Sequence, residues 1–192
     1  MSTGTARTST LDELLAHETA KDLRLNLRLL RENRALTPAQ AWGTALASAI
    51  ASRNAAVTRA VAAEAAPHLT PEAARAARVA ATMMGLTNIY YRFLHLVEAP
   101  EYGQLPAGLR MQSLANPGVP KLDFELWSLA ASAIKGCGSC VASHERHLRQ
   151  AGVVPEAVQE AVRIASLVHA AAVASDAAEA LDAAGAPAAT AG

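Results

Sequence analysis

Apolar residues recur every three or four positions along most of the chain, with charged residues between them. The clearest stripe near the N-terminus is made of leucines, at positions 11, 14, 15, 23, 27 and 30. This spacing places side chains on one face of an α-helix. No segment of the sequence shows the sustained apolar–polar alternation of a half-buried β-strand. The pattern therefore predicts an all-α protein.

Prolines mark where several of these helices begin. Thr-Pro occurs at 37–38 and again at 70–71, which combines a capping hydroxyl with a residue suited to the first helical position. Val-Pro-Glu at 154–156 indicates a third start, because an acidic side chain is favourable at the positive end of a helix. The stretch 99–123 holds four prolines and three glycines. It predicts a long connection between two helical halves.

The two halves resemble each other in sequence. With a shift of 84 residues, segment 47–82 overlies 131–166, so that Ala-Ser-Ala-Ile and Pro-Glu-Ala each match an identical copy. Matched alanines carry little weight in a chain with 47 of them, but the helix-start prolines keep the same shift. In this overlay Arg53 stands where the second half has Cys137. Both cysteines of the chain belong to the second half.

Length and composition are those of one globular domain. The chain has 192 residues, of which 52% are hydrophobic and 18% charged, enough apolar material for a substantial core. We predict a single helical domain over 10–184, with pseudo-repeats at about 36–98 and 121–184. The terminal segments 1–9 and 185–192 consist mostly of small residues, and we expect both to be flexible.

Charge and composition argue against several classes of function. Lys+Arg and Asp+Glu both number 17, so the chain has no positive excess for a phosphate backbone or an anionic membrane. Aromatic residues, at 4%, are too few for platforms on which bases stack. No segment resembles a secretory signal, and no uninterrupted apolar run approaches the ~18 residues that cross a bilayer. We therefore expect a cytoplasmic protein without nucleic-acid or membrane partners.

The two cysteines lie three residues apart, at a predicted junction between helices. The first helix is expected over 123–134 with Asp123 as its cap, and the second from about Cys137 onward. Cys137 and Cys140 would then lie at a helix N-terminus, where free N–H groups and the positive dipole favour the thiolate. Their spacing also puts both sulfurs on one face, close enough to close a small disulfide ring.

Two more side chains complete a candidate reactive group. His144 follows Cys140 by one helical turn, so its imidazole can reach the Cys140 sulfur and exchange a proton near neutral pH. Glu125 belongs to the preceding helix, and its carboxylate could orient His144 if the two helices pack together. Carboxylate, imidazole and thiol would then form a base-assisted nucleophile.

Three other interpretations of the cysteines remain open. A zinc site would use Cys137, Cys140, His144 and His147, but the first and last are ~15 Å apart along a single helix. A thioredoxin-like dithiol needs a strand before the motif, where this sequence predicts a helix. The pair could also be structural and buried. The residues favour a redox-active dithiol on a helical scaffold.

The segment around the cysteines resembles the AhpD family of small helical alkylhydroperoxidases, within the carboxymuconolactone-decarboxylase-like superfamily. The similarity covers roughly residues 105–170. The matching segments read Gly-Leu-Arg-Met at 108–111, Asn-Pro-Gly at 116–118, Phe-Glu-Leu-Trp at 124–127, Ser-Ala-Ile at 132–134 and Gly-Cys-Gly-Ser-Cys at 136–140. The signature Glu-x11-Cys-x2-Cys-x3-His is present as Glu125, Cys137, Cys140 and His144.

This resemblance implies an all-helical subunit, commonly a homotrimer, that reduces organic hydroperoxides without a bound haem, flavin or metal. In such proteins the residue matching Cys140 is oxidised by the peroxide to a sulfenic acid. The residue matching Cys137 serves as proton donor and resolving thiol, and closes the Cys137–Cys140 disulfide. The residues matching Glu125 and His144 relay protons to the second cysteine.

The resemblance also implies partners. These are an AhpC-type peroxiredoxin, which the protein would re-reduce, and a lipoylated dihydrolipoamide acyltransferase with dihydrolipoamide dehydrogenase, whose lipoyl group would supply electrons. One departure is Ser139, where some relatives carry a histidine that could act as an extra base. The alternative class of function is a redox-sensing or interaction protein, in which a reversible disulfide switches association without turnover.

Overall fold

The structure is a computed structural model that describes residues 10–183, and every regular element in that range is a helix, as predicted. The elements are α1 (Leu11–Leu14), a 3₁₀ turn (Glu18–Ala20), α2 (Lys21–Asn26), α3 (Arg28–Arg31), α4 (Pro38–Ser52), α5 (Ala55–Ala65), α6 (Pro71–Leu96), α7 (Pro100–Gln104), α8 (Gln112–Ala115), α9 (Lys121–Lys135), α10 (Gly138–Gln150) and α11 (Pro155–Ala183). The terminal segments predicted to be flexible, 1–9 and 185–192, lie outside the described residues.

The core lies between the helices α4, α6, α9 and α11. The helix α4 packs against the other three, α9 packs against α6 and α11 as well, and α10 lies on α9 and α6. Small residues allow α4 and α9 to approach closely. A Cβ atom at Gly43 would lie 2.3 Å from the indole of Trp127, so only glycine leaves room for that ring. Trp127 is fully buried, and its Nε1 donates to the Gln40 carbonyl at 3.2 Å. This contact fixes α9, which carries the residues before the cysteine motif.

The helix α9 begins two residues earlier than the sequence indicated, so the expected cap at Asp123 is wrong. Pro120 is the N-cap, and its carbonyl accepts the backbone N–H groups of Asp123 and Phe124. Asp123 lies within the first turn, and its carboxylate instead accepts a hydrogen bond from the Gln40 side chain at 2.8 Å. An acidic residue is favourable at either place because both lie at the positive end of the helix.

Two corners of the fold have closely similar backbones. The helix α4 ends at Arg53 with φ 67°, and α9 ends at Gly136 with φ 68°. The residues that follow, Asn54 and Cys137, are the N-caps of α5 and α10. The order α4–α5–α6 therefore recurs as α9–α10–α11. The sequence overlay, which paired Arg53 with Cys137, is wrong by one residue at this corner. After the shared Ala-Ser-Ala-Ile, α4 continues for two residues and α9 for one, so Arg53 corresponds to Gly136.

The predicted connection at 99–123 contains two short helices, α7 and α8, and ends inside the first turn of α9. Apolar side chains remain exposed along it and along the end of α6 that leads into it. Those at least 40% exposed are Leu86, Ile89, Tyr91, Phe93, Leu96, Tyr102 and Leu105. This end of the protein therefore presents an apolar surface that the single chain does not cover.

Of the helices in the described range, one is long and apolar enough to cross a membrane by length and composition, spanning Pro155–Asp182 with mean hydropathy 1.3. It forms α11, which packs against α4, α5 and α9. Its buried face contributes Ile164, Val168 and Ala172 to the core. A core helix has the same composition, so this feature by itself does not place α11 in a bilayer.

Candidate active site

The cysteine pair occupies the corner between α9 and α10. Gly136 takes a left-handed backbone conformation with φ 68°, which a residue without a Cβ adopts readily and which ends α9 sharply. Cys137 then caps α10, and Cys140 lies in its first turn. The two form a disulfide, with Cα atoms 5.3 Å apart. The pair thus lies at the N-terminus of a helix, where the sequence placed it.

The two sulfurs differ in their surroundings. Cys137 has no exposed surface, whereas Cys140 is 9% exposed and borders a cavity of about 510 Å³. The other residues that line this cavity are Met84, Thr87, Asn88, Tyr91, Leu94 and His95 of α6, Met111 and Leu114, and Ser139, Ser143 and His144 of α10. A small organic molecule in the cavity would therefore meet Cys140 and not Cys137.

His144 and Glu125 are brought together as the spacing suggested. Nδ1 of His144 lies 2.7 Å from Oε2 of Glu125, and both side chains are largely buried, with exposures of 16% and 14%. The other ring nitrogen of His144, Nε2, lies 3.3 Å from the thioether sulfur of Met84. The imidazole is therefore held on both sides, one turn after Cys140 on the same helix.

The surroundings of Glu125 favour its charged form. Burial by itself would raise the pKa of this carboxyl group, but the hydrogen bond from His144 lowers it. The positive charges of His144, His147 and Lys121 act in the same direction, so the net pKa lies below the ordinary value. His147 is 54% exposed, as expected for a solvated residue, yet its Nδ1 lies 3.8 Å from the carboxylate.

The structure bears on two of the other interpretations of the cysteines. Between residues 10 and 183 there is no group of three or more His, Cys, Asp or Glu side chains that could hold a metal ion. The element before the motif is the helix α9, so a thioredoxin-like strand-to-helix arrangement is wrong for this chain. What the corner does provide is a closed disulfide beside a cavity, with an imidazole–carboxylate pair behind it.

Sequence reasoning missed the contribution of α6. Met84 is 3% exposed, as a core residue would be, but it also lines the cavity and contacts His144. Asn88, Tyr91 and His95 line the same wall. These positions follow Met84 at intervals of four, three and four residues, which is the spacing of one helical face. The helical spacing of Asn88, Tyr91 and His95 was the available signal.

Comparison with known proteins gives a consistent result. The model of the carboxymuconolactone decarboxylase family matches residues 100–183. The protein named alkyl hydroperoxide reductase AhpD in Gluconacetobacter diazotrophicus is 58% identical over 162 residues, which are 84% of this chain and 89% of that protein. Proteins of the same name in Frankia alni and Methylocella silvestris are each 54% identical, over 88% and 83% of this chain and 91% and 90% of their own lengths.

Proposed function

The chain belongs to the alkyl hydroperoxide reductase AhpD family, and on that premise we propose that it reduces alkyl hydroperoxides through a Cys137–Cys140 dithiol/disulfide cycle. The observation that carries the proposal is the position of the disulfide, with Cys140 alone of the two bordering a largely apolar cavity. That position suits an apolar hydroperoxide, since its alkyl group can occupy the cavity while its oxygens meet the sulfur.

Cys140 is the peroxidatic residue in this cycle. Its thiolate attacks one peroxide oxygen, so that an S–O bond forms, the O–O bond breaks, and the sulfur becomes a sulfenic acid. The leaving alkoxide takes up one proton and departs as an alcohol. Two features support this role: the first turn of α10 favours the thiolate, and His144, paired with Glu125, lies one turn away to move the proton.

Cys137 is the resolving residue and a proton donor. Its sulfur attacks the sulfenic sulfur of Cys140, which forms the disulfide and releases water. The 5.3 Å between the Cα atoms allows this bond without a rearrangement of the helices. The fully buried position of Cys137 shields it from direct oxidation, and its proximity shortens the life of the sulfenic acid. Fast closure protects Cys140 from further oxidation.

A dithiol completes the cycle by exchange, since its two thiols reduce the disulfide and are themselves oxidised to a disulfide. We propose the lipoyl group of a dihydrolipoamide acyltransferase as this donor, kept reduced by dihydrolipoamide dehydrogenase. A slender dithiol arm can enter the cavity of about 510 Å³ beside Cys140. The protein itself holds no cofactor in this scheme. An AhpC-type peroxiredoxin is the proposed protein substrate, which the dithiol re-reduces.

We also propose that the protein works in the cytoplasm as a homotrimer. The support for an oligomer is the exposed apolar surface at the end of α6 and along the connection, which includes Ile89 at 65%, Leu96 at 69% and Leu105 at 60% exposure. Apolar surface of this kind is commonly covered by another subunit. Sedimentation equilibrium of the purified chain tests the oligomeric state, and a monomer at micromolar concentration contradicts it.

Steady-state consumption of tert-butyl hydroperoxide with dihydrolipoamide as the sole donor tests the catalytic proposal. We expect many turnovers for the unsubstituted protein and none for Cys140→Ser, which keeps the size of the side chain but lacks the sulfur. Val57→Ala is a matched control, since Val57 lies three residues after the N-cap of α5 as Cys140 lies three after that of α10. It should retain turnover per folded molecule.

The second candidate is a redox sensor that forms the same disulfide once and changes its association. The exposed apolar surface beside the cavity favours this candidate, because a change at Cys140 could reach it through Tyr91 of the cavity wall. The two candidates differ in stoichiometry. One equivalent of peroxide consumed per protein, with donor present, favours the sensor, whereas continued consumption favours the peroxidase.

A further inference from the structure

The nitrogen of a buried side-chain amide in the cavity wall lacks a hydrogen-bond partner. Asn88 of α6 is 1% exposed, and its Nδ2 makes no hydrogen bond in the structure. The other end of the amide is fixed, because the hydroxyl of Ser132 donates to its Oδ1 at 3.2 Å. A buried donor without a partner costs free energy, so a state of the protein in which Nδ2 has a partner is favoured over one in which it has none.

Contacts between α6 and α9 show how these two helices are aligned. Asn88 contacts Ser132, and further along both helices the side chain of Arg92 donates to the carbonyl of Lys135 at 2.8 Å. Residue numbers rise together along the two helices, so α6 and α9 run in the same direction. The helix α10 runs back along α9, since His144 of α10 meets Glu125 near the start of α9, and α10 therefore runs opposite to α6.

This alignment places Asn88 beside Cys140. Met84 of α6 touches His144 of α10. One turn forward on α6 leads from Met84 to Asn88, and one turn back on the antiparallel α10 leads from His144 to Cys140. Both steps advance about 6 Å in the same direction. Asn88 and Cys140 also line the same cavity.

We propose that Nδ2 of Asn88 donates a hydrogen bond to the thiolate sulfur of Cys140 in the reduced protein. When the disulfide is reduced, the two sulfurs must separate to a non-bonded distance. Cys137 has no exposed surface, whereas Cys140 borders the cavity, so the Cys140 sulfur is the one with room to move toward Asn88. A thiolate accepts a hydrogen bond from an amide more strongly than a neutral sulfur does.

The hydrogen bond therefore depends on the redox state. In the disulfide form Nδ2 of Asn88 has no partner, and in the dithiol form it stabilises the thiolate before a peroxide binds. This hydrogen bond would contribute to catalysis only if the protein has the proposed function, on which this part of the inference rests. The role of Asn88 differs from that of His144 and Glu125, because an amide neither takes up nor releases a proton and so acts equally across the working pH range.

Alkylation of the thiol by iodoacetamide as a function of pH tests this hydrogen bond. The full chain with Cys137→Ser leaves Cys140 as the single thiol. In that background we expect Asn88→Ala to raise the apparent pKa of the Cys140 thiol by about one unit, the size of one charge-assisted hydrogen bond. Alkylation at neutral pH should slow several-fold. Asn88→Asp should raise the pKa at least as far, since a carboxylate repels the thiolate.

Thr87→Val is the matched control, because Thr87 lines the same wall and its hydroxyl already donates to the Met83 carbonyl. It should leave the thiol pKa unchanged. The titratable groups around the cavity are Tyr91 and His95 of α6, His144 of α10 and Glu125 of α9, and every variant retains them. A thiol pKa that is the same in the parent and in Asn88→Ala overturns the proposal.

A second measurement separates this role from simple packing. With both cysteines present, Asn88→Ala should lower the thermal midpoint of the reduced protein more than that of the disulfide form, since only the reduced protein loses a hydrogen bond at Nδ2. An equal loss in the two redox states means that Asn88 only packs, and contradicts the proposal. Neither measurement uses peroxide, so both keep their meaning if the chain fails to turn over hydroperoxides.

Discussion

The corner between α4 and α5 and the corner between α9 and α10 share a backbone conformation but use it differently. At the first corner, Asn54 accepts the N–H of Val57 at 2.7 Å and donates to the carboxylate of Asp176 at 2.7 Å. At the second, Cys137 makes no side-chain capping bond. At the first corner the N-cap side chain stabilises the start of the helix. At the second corner no side chain caps the first N–H groups of α10, which leaves them and the positive end of the helix dipole to stabilise a thiolate.

The same contrast continues along both helices. Three and seven residues after the N-cap, α5 has Val57 and Val61, both fully buried in the core. At the same intervals α10 has Cys140 and His144. Positions that face the core in one half therefore carry Cys140 and His144 in the other. This explains why Cys140 and His144 are shielded, since the geometry of the corner turns these positions inward.

The largest effect is expected when the N-cap of the second corner, Cys137, is replaced by a residue that caps a helix as Asn54 does at the first corner. We expect Cys137→Ser to abolish turnover with a dithiol donor, because the sulfenic acid on Cys140 then has no neighbouring thiol with which to condense. Serine is a good N-cap, so its hydroxyl can accept the N–H of Cys140. The thermal midpoint of this variant should therefore match or exceed that of the reduced parent. Turnover near the parental rate contradicts the role of Cys137.

The next effect concerns two partly buried glutamates, one in each half, that pair with a basic group. Glu125 meets His144 at 2.7 Å, and Glu64 of α5 meets Arg31 at 3.0 Å. We expect Glu125→Gln to slow turnover about 100-fold, the usual contribution of a positioned acid–base group. Steady-state peroxide consumption measures it.

Glu64→Gln is the control from the other half. It should leave turnover per folded molecule unchanged and lower the free energy of unfolding by about 1 kcal/mol or less, as for a partly exposed ion pair. The contrast fails if both substitutions slow turnover equally, or if Glu125→Gln retains the parental rate. Equal slowing would mean that the loss does not report on proton movement at Glu125, and an unchanged rate would mean that the carboxylate near His144 does not move protons.

The sequence predicted the position of the cysteine pair better than the residues that surround it. The helical class, the end of α9 at Gly136 and the place of the cysteines follow from local signals, which are apolar spacing, the glycine at 136 and the separation of Cys137 and Cys140. The start of α9 was predicted two residues too late. The contact of Met84 with His144 joins residues 60 positions apart and leaves no trace in the periodicity of either helix. The cap at Asn54 was missed because the two halves were overlaid with one shift of 84 residues, which does not allow for the one-residue difference between the two corners.

A smaller effect is expected at the N-cap of the first corner. Asn54→Ala removes the capping bond to Val57 and leaves Asp176 without its amide partner. We expect a loss of about 1–2 kcal/mol in the free energy of unfolding, the usual cost of removing a good N-cap. Turnover per folded molecule should not change. Urea denaturation with parallel peroxide assays measures both, and a loss of turnover at full folding would show that the two corners are coupled.

The smallest expected effect is the pH dependence of stability at the carboxylates whose pKa is lowered. The hydrogen bond to Arg31 lowers the pKa of Asp12 in the N-terminal half. In the second half, burial alone would raise the pKa of Glu125, but the hydrogen bond from His144 and the charges of His144, His147 and Lys121 together lower it by more. A carboxyl group with a lowered folded-state pKa stabilises the protein above its ordinary pKa, and this contribution is lost as pH falls through the lowered value.

The free energy of unfolding of Glu125→Gln should therefore lie below that of the parent at neutral pH, and the gap should close as pH falls from about 4.5 through the lowered pKa. Asp12→Asn should show the same sign but a smaller gap, because the side chain of Asp12 is 58% exposed and water screens its ion pair, whereas that of Glu125 is 14% exposed. Urea unfolding of both variants and the parent from neutral to acid pH measures the gaps. A stability gap for Glu125→Gln that stays constant with pH would mean that this side chain stabilises the fold through packing and not through its charge.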